Sequence, residues 1–124
     1  MNIYNKYRRV KMSNYKLPKD IKNLMERELR QYYYNKKKLE ILKKQFEKAT
    51  PGGSRRLEYL EERLYYVENV YKRLKPFEQD VYNLIFKEQC NATYCQIIKN
   101  IDKTTYYNIF NKSIYYLAEE WGEI

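Results

Sequence analysis

Apolar side chains recur at helical spacing along most of the chain, and no segment shows a period-two alternation long enough to indicate a sheet. The first periodic stretch runs from about Pro18 to Lys48, with Pro18 suited to the first helical turn. Its apolar residues fall on one helix face: Ile21, Met25, Leu29, Tyr32, Leu39, Leu42 and Phe46. Aromatic residues and Asn have low helix propensity, so we expect a kink near Tyr34.

The segment from about Arg55 to Leu74 has the most regular periodicity. Its apolar residues alternate three and four positions apart, as in a heptad seam: Leu57, Leu60, Leu64, Val67, Tyr71 and Leu74. The loop signal Pro51-Gly52-Gly53 separates it from the first stretch. Two interpretations of this seam stay open: it packs on the preceding helix as an antiparallel hairpin, or it pairs with a second copy of the chain.

Shorter helices are predicted after Lys75, because the residue before Pro76 leaves the helical region. The first ends near Glu88 and has these apolar positions: Phe77, Val81, Leu84, Ile85 and Phe86. A brief helix follows from Tyr94 to Asn100, with Thr93 as its N-cap and Ile97 and Ile98 directed inward.

The last helix is predicted from Lys103 to about Glu120. Asp102 caps its start, and Gly122 is placed as its C-cap. Its core-facing positions recur at helical spacing: Tyr106, Ile109, Phe110, Ser113, Ile114, Leu117 and Trp121.

Three short helices, with a brief middle helix and a tight turn at Ile101 and Asp102, have the outline of a helix-turn-helix. In that motif the start of the last helix reaches base edges in the major groove. The corresponding candidates are Lys103, Thr104, Thr105, Tyr107, Asn108, Asn111 and Lys112. Lys donates to guanine, Asn pairs with adenine, and Thr hydrogen-bonds a base or touches a thymine methyl. The alternative is that these side chains are the solvated face of a helical bundle.

The net charge of +9, with 25 Lys and Arg against 16 Asp and Glu, favours a polyanionic partner. The excess lies in the first half: residues 1–50 have a net charge of +10 and residues 76–124 of −3. We expect phosphate contacts from the basic first half, through Lys36, Lys37, Lys38 and a basic arm over residues 1–16. We also expect them beside the predicted turn of the last segment, from Tyr94 and Lys99. The acidic residues cluster elsewhere in the last segment.

The sequence has no histidine and only two cysteines, Cys90 and Cys95. This disfavours metal sites, disulfide frameworks and most enzyme classes. We expect a protein that is not an enzyme and needs no cofactor. No apolar run approaches the roughly 20 residues of a membrane span, and residues 1–10 lack the apolar region of a secretory signal. A cytoplasmic protein without a membrane partner is expected.

The C-terminal part also resembles a known family. Ile101 to Asn108 reads I-D-K-T-T-Y-Y-N and is similar to the I-S-x-x-T-x-Y/H-R turn of the RinA-type late transcription activators of phages of Gram-positive bacteria. The ArpU-like phage regulators share this region. Ile114 to Glu123 is similar to the family ending I-x-x-L-A-E-E-L-G-E. Lys16-Leu17 and Glu26 to Leu29 are similar to the family's opening run K-L-x-x-x-x-x-L-E-x-E-L. The resemblance implies a sigma region 4-like helix-turn-helix that binds upstream of a late or packaging operon and activates host RNA polymerase.

The sequence thus predicts an all-α protein: a flexible basic arm over 1–16, a helical hairpin with an oligomerisation role over 17–75, and a helix-turn-helix over 76–124. We expect a sequence-specific activator of phage late genes that binds double-stranded DNA in the bacterial host cell. A homodimer would read half-sites about one DNA turn apart. Two alternatives stay open: a small terminase-like DNA-packaging adaptor, and a helical protein-interaction module without nucleic acid.

Overall fold

The computed structural model describes residues 15–46 and 54–124. Within these ranges the chain is all-α, as predicted, and contains no strand. The helices are α1 (Lys19–Arg30), α2 (Tyr32–Phe46), α3 (Ser54–Arg73), α4 (Pro76–Tyr82) with a π-helical turn (Asn83–Lys87), α5 (Ala92–Lys99) and α6 (Lys103–Glu120). No described helix has the length and apolar character needed to cross a bilayer. The predicted loop Pro51-Gly52-Gly53 and arm residues 1–14 lie outside the described residues.

The first periodic stretch forms two helices rather than one, and the break falls at Gln31 instead of near Tyr34. A contact distant in sequence accounts for this position. Arg30 Nη1 donates to Ile85 O at 3.2 Å and to Gln89 Oε1 at 3.0 Å. In return, Gln89 Nε2 donates to Arg30 O at 3.0 Å, so the end of α1 is held to the segment after the π-helical turn.

The heptad seam of α3 is filled within the chain. At one end, Leu60 and Leu64 pack with Leu39 of α2 in a small buried cluster. The two helices run antiparallel, because Lys43 pairs with Glu61 at 3.2 Å near this end while Tyr32 and Glu68 line one groove at the other. This is the arrangement that the hairpin interpretation predicts. The seam itself is therefore occupied without a second copy of the chain.

The main core surrounds α6, and its predicted inward positions are correct. Tyr106, Ile109, Phe110, Ser113, Ile114 and Leu117 are buried, and Trp121 is half-buried against the same core. Residues from α1 and α3 complete this core, including Met25, Leu29, Val67 and Val70. Helices on both sides of the predicted boundary at 75–76 therefore share one apolar interior.

Three predictions in the short helices are wrong. Phe77 is 46% exposed, and Glu78 is buried in its place. Ile97 and Ile98 are 71% and 52% exposed, because α5 packs through Ala92 and the fully buried Cys95 on the opposite side. The N-cap of α5 is Asn91 rather than Thr93: Asn91 Oδ1 accepts a hydrogen bond from Tyr94 N at 2.8 Å.

Candidate nucleic-acid interface

A short and well-capped turn joins α5 to α6. The chain leaves α5 through Asn100, which adopts the left-handed conformation with φ 52°. Asn100 N donates to Ile97 O at 3.3 Å and Ile101 N donates to Gln96 O at 3.0 Å. These two bonds form a Schellman motif, which satisfies carbonyls at the helix end and reverses the chain sharply. Asn tolerates this conformation better than most residues with a side chain.

Asp102 begins α6 immediately after this turn, as predicted. Its Oδ1 accepts a hydrogen bond from Thr105 N at 2.7 Å, which satisfies one of the free amides of the first turn. Hydrogen bonds from the Thr105 side chain and backbone lower the pKa of Asp102. The carboxylate is therefore ionised at neutral pH and bound to the amino end of α6.

One stripe of polar and aromatic side chains runs along the outer side of α6. Thr104, Tyr107, Asn108 and Asn111 are three, four and seven positions apart and so lie side by side on a helix. Thr104 and Tyr107 are exposed, Asn108 and Asn111 are half-buried, and the opposite face of α6 enters the core. Lys103 is exposed at the start of the same helix. The structure thus brings five of the predicted residues together on one accessible surface, which we call the α6 outer stripe.

Two predicted residues of α6 lie apart from this stripe. Thr105 is half-buried and its backbone amide is used by the Asp102 cap. Lys112 points towards α4, where its Nζ donates to the two carboxylate oxygens of Glu78 at 2.9 and 3.2 Å. Their side chains are only 14% and 12% exposed. Lys112 is thereby engaged in fixing α6 to α4.

The ionisation of this pair follows from its surroundings. Burial disfavours the charged form of Glu78, but hydrogen bonds from Lys112 and from Lys75 N outweigh burial and lower its pKa. Burial also disfavours the charged form of Lys112, but the hydrogen bond to Glu78 and the nearby charges of Tyr116, Glu78 and Tyr15 together outweigh burial and raise that pKa. Both groups are therefore charged at neutral pH.

The predicted phosphate contacts fall on two separate surfaces. Tyr94 is exposed on α5 and Lys99 is half-buried at its end, so both belong to the element that precedes the turn. Lys36, Lys37 and Lys38 are exposed on α2, which packs mainly on α3. Lys36 Nζ lies 5.9 Å from the centre of the Tyr32 ring. These three lysines therefore form a second basic surface on a different element from α6.

Much of the predicted acidic side is paired within the chain. Arg73 donates to Glu119 at 2.8 Å and to Glu120 at 3.3 Å, and its guanidinium lies 3.8 Å from the centre of the Tyr116 ring. Asn69 Nδ2 donates to Glu120 at 2.8 Å. The end of α3 thus clamps the end of α6. Sequence reasoning missed this clamp, since its members lie more than forty residues apart.

A groove of about 360 Å³ lies where α1 meets α2, beside α3 and the π-helical turn. Its aromatic lining consists of Tyr32, Tyr33, Tyr71, Tyr82 and Phe86, with Glu68 and two lysines among the other lining residues. Burial and the neighbouring Glu68 carboxylate raise the pKa of Tyr32 to about 12. Within the described ranges, no three His, Cys, Asp or Glu side chains converge as metal ligands.

Comparison with protein-family models gives no match, and neither curated protein sequences nor solved structures give one.

Proposed function

We propose that the chain is a sequence-specific double-stranded DNA-binding protein in which α5, the turn at Asn100 and α6 form a helix-turn-helix. The observation that carries this proposal is the α6 outer stripe: a capped helix, presented after a sharp turn, with hydrogen-bonding side chains on its accessible side. A major groove admits one α-helix, and such motifs read bases with the first turns of that helix. The proposal extends to transcriptional activation of phage late or packaging genes, which the resemblance of Ile101 to Asn108 supports.

Each residue of the stripe has a distinct part in this proposal. Asn108 and Asn111 present amides that can pair bidentately with adenine, and Lys103 donates to guanine. Thr104 hydrogen-bonds a base edge or contacts a thymine methyl.

Phosphate contacts position the protein without selecting a base. We assign this role to Lys99 and to the Tyr94 hydroxyl beside α6, and a weaker one to Lys36, Lys37 and Lys38 on α2. Each neutralised phosphate contributes about 0.9 to the slope of log K against log salt. Binding should therefore weaken steeply as the salt concentration rises.

The test is selection from a pool of random duplexes with the intact chain, followed by anisotropy titration of the selected duplex. Asn108→Ala should lower the preference for the selected base at one position by about 1–3 kcal/mol. Replacing Lys36, Lys37 and Lys38 with Ala should weaken selected and unselected duplexes alike. Lys44→Ala, a change at an exposed lysine of α2 outside the assigned set, is the matched control.

Three outcomes would contradict the proposal. Absence of any enriched sequence, together with a flat salt response, would indicate a protein-interaction module. Equal effects of Asn108→Ala and the triple lysine variant on base preference would show that α6 does not read bases. Ring-sized oligomers in solution that bind packaging-site DNA would instead favour a terminase-like adaptor.

A further inference from the structure

The aromatic groove between α1, α2, α3 and the π-helical turn is lined by no residue of α5 or α6. Leu29, Val67 and Phe86 line it and are at most 3% exposed, so they form its floor. Its volume of about 360 Å³ falls within the about 300–1,000 Å³ of small-ligand sites. Phe86 belongs to the π-helical turn, a distortion that is frequent at functional sites. The groove is therefore a candidate binding site separate from the α6 outer stripe.

The tyrosine rings above this floor form two pairs from different elements. Tyr32 and Tyr33, at the start of α2, have ring centres 4.9 Å apart. The ring of Tyr71 on α3 lies 5.6 Å from that of Tyr82 on α4. Burial, and next the electrostatic interaction with the other three tyrosines, raise the pKa of Tyr82, so the four hydroxyls lie near one another. The groove thus offers ring surfaces together with several hydrogen-bonding groups.

The charges around the groove favour an anionic ligand over a cationic one. Lys72 and Lys87 line it against a single carboxylate, that of Glu68. Lys87 Nζ already lies 5.4 Å from the centre of the Tyr33 ring. An ammonium ligand on these rings would be repelled by the two lysines, whereas a phosphate would be attracted.

Basic side chains continue beyond the groove along α2. Lys36 Nζ lies 5.9 Å from the centre of the Tyr32 ring, and the exposed Lys37 and Lys38 follow it. Tyr33 is 45% exposed, so the groove is open to water at this end. Proteins that bind single-stranded nucleic acid combine a basic path for the backbone with aromatic rings on which bases stack. The basic path beyond the groove therefore favours a strand over a free nucleotide.

We propose that this groove binds one unpaired nucleotide of a single-stranded nucleic acid. The base stacks on Tyr33, and Lys72 and Lys87 bind the adjacent phosphates. Glu68 accepts a hydrogen bond from the amino group of the base, as acidic side chains do from cytosine N4. This inference does not rest on α6, and it adds a single-stranded ligand to the duplex of the proposed function.

The first test compares two neighbouring tyrosines in the intact chain. The probe is a fluorescein-labelled oligodeoxycytidine of about ten nucleotides, within the range of known single-strand sites, and binding is followed by anisotropy. Tyr33→Ala should weaken binding about fivefold or more, as for the loss of one base–aromatic stack. Tyr33→Phe keeps the ring and should retain binding. Tyr34→Ala is the matched control and should leave binding unchanged, because Tyr34 is 69% exposed on the same helix and outside the groove.

The second test examines the phosphate contacts. Lys72→Gln combined with Lys87→Gln should reduce the magnitude of the salt slope by about 1–1.5, since each single-strand phosphate contributes about 0.7. The matched control is a double Gln replacement of Lys19 and Arg56, which are exposed near the starts of α1 and α3. This control should leave the slope unchanged.

The third test examines the base contact of Glu68. Oligodeoxycytidine should bind more tightly than oligodeoxyuridine, because uracil has a carbonyl where cytosine has its amino group. Glu68→Gln should reduce this preference, since an amide both donates and accepts hydrogen bonds. Glu58→Gln, at an exposed position of the same helix, should keep the preference of the unaltered chain.

Several results would overturn this inference. Equal losses for Tyr33→Ala and Tyr34→Ala would show that the groove does not hold the base. Competition by deoxycytidine monophosphate as strong as that by the unlabelled oligonucleotide would indicate a site for free nucleotides. Displacement of the probe by tetramethylammonium chloride, but not by sodium chloride at the same ionic strength, would indicate a cation site.

Failure of this inference can be distinguished from failure of the proposed function. Asn108→Ala should leave binding of the oligonucleotide unchanged, and Tyr33→Ala should leave the base preference on the selected duplex unchanged. A chain that binds its selected duplex but no single strand would overturn this inference alone. A chain that binds the single strand through Tyr33 but selects no duplex would overturn the proposed function alone.

Discussion

Lys112 and Glu78 illustrate how one contact decides the role of a residue. In the sequence, Lys112 is one of several polar side chains along the last helix, and its position along that helix makes it a candidate for contact with the major groove. Its partner lies 34 residues earlier, at the start of α4, where Glu78 also accepts a hydrogen bond from Lys75 N at 2.9 Å. Because the carboxylate caps α4 and binds α6, one side chain ties the two helices together.

Loss of this carboxylate should destabilise the protein in a pH-dependent way. Glu78→Gln leaves Lys112 largely buried without a countercharge, so we expect a loss of about 2 kcal/mol at pH 7, below the 3–5 kcal/mol of fully buried pairs. The pKa of Glu78 is lowered from 4.5 on folding, so its stabilisation is present above about pH 4.5 and disappears as the pH falls through the folded value.

Urea titrations between pH 7 and pH 3 check this expectation. The difference in unfolding free energy between the unaltered chain and Glu78→Gln should shrink below about pH 4.5. Glu58→Gln, at an exposed position of α3, is the control and should differ little from the unaltered chain at any pH. A constant difference for Glu78→Gln over the whole range would show that the carboxylate charge is not what stabilises the fold.

At the scale of the elements, the buried face of the long periodic helices could be predicted and the buried face of the short helices could not. The 20 residues of α3 and the 18 of α6 repeat their apolar face over five turns, which leaves one consistent register. The eight residues of α5 cover only two turns. Either side of such a helix offers apolar side chains, and the choice depends on the helices that it packs against. Ile97 and Ile98 face outward because α5 packs through Ala92 and Cys95 instead.

The candidate site likewise has some features that could be predicted from the sequence and others that could not. The order of Thr104, Tyr107, Asn108 and Asn111 on one surface could be predicted because Asp102 fixes where α6 begins. The engagement of Lys112 and the clamp of Arg73 on Glu119 and Glu120 could not, because helix periodicity contains no information on partners from another helix. The break at Gln31 has the same origin, since it coincides with hydrogen bonds between Arg30 and Gln89.

Alanine substitutions test the register of α5 directly. Ile97→Ala and Ile98→Ala should each change the free energy of unfolding by less than about 1 kcal/mol, because both side chains are mostly in water. Ile109→Ala makes the same chemical change at a position that is 2% exposed and should cost about 2–5 kcal/mol. Thermal or urea unfolding of the three variants decides the point. An equal loss of unfolding free energy for Ile97→Ala and Ile109→Ala would show that the Ile97 side chain is buried in the core.

For the whole molecule, the decisive feature is the core shared by α1, α3 and α6. Leu29 of α1 is fully buried in the cluster that also contains Ile114 and Leu117 of α6. The one tryptophan, Trp121, lies just beyond α6 with its ring 6.5 Å from that of Tyr66 on α3. Fluorescence of Trp121 therefore reports on the packing between the first and last parts of the chain.

We expect the protein to unfold in a single transition. Trp121 fluorescence and far-ultraviolet circular dichroism should give coincident urea curves, because elements with a common core lose it together. Leu29→Ala should shift both curves by the same amount, at a cost of about 2–5 kcal/mol, whereas Ile41→Ala, at a side chain 54% exposed on α2, should shift neither. Separate curves, or a Leu29→Ala effect on circular dichroism alone, would mean that residues 17–75 and 76–124 fold independently. Coincident curves would mean instead that α1, α3 and α6 unfold as one unit, so that the packing of α6 depends on α1 and α3 behind it.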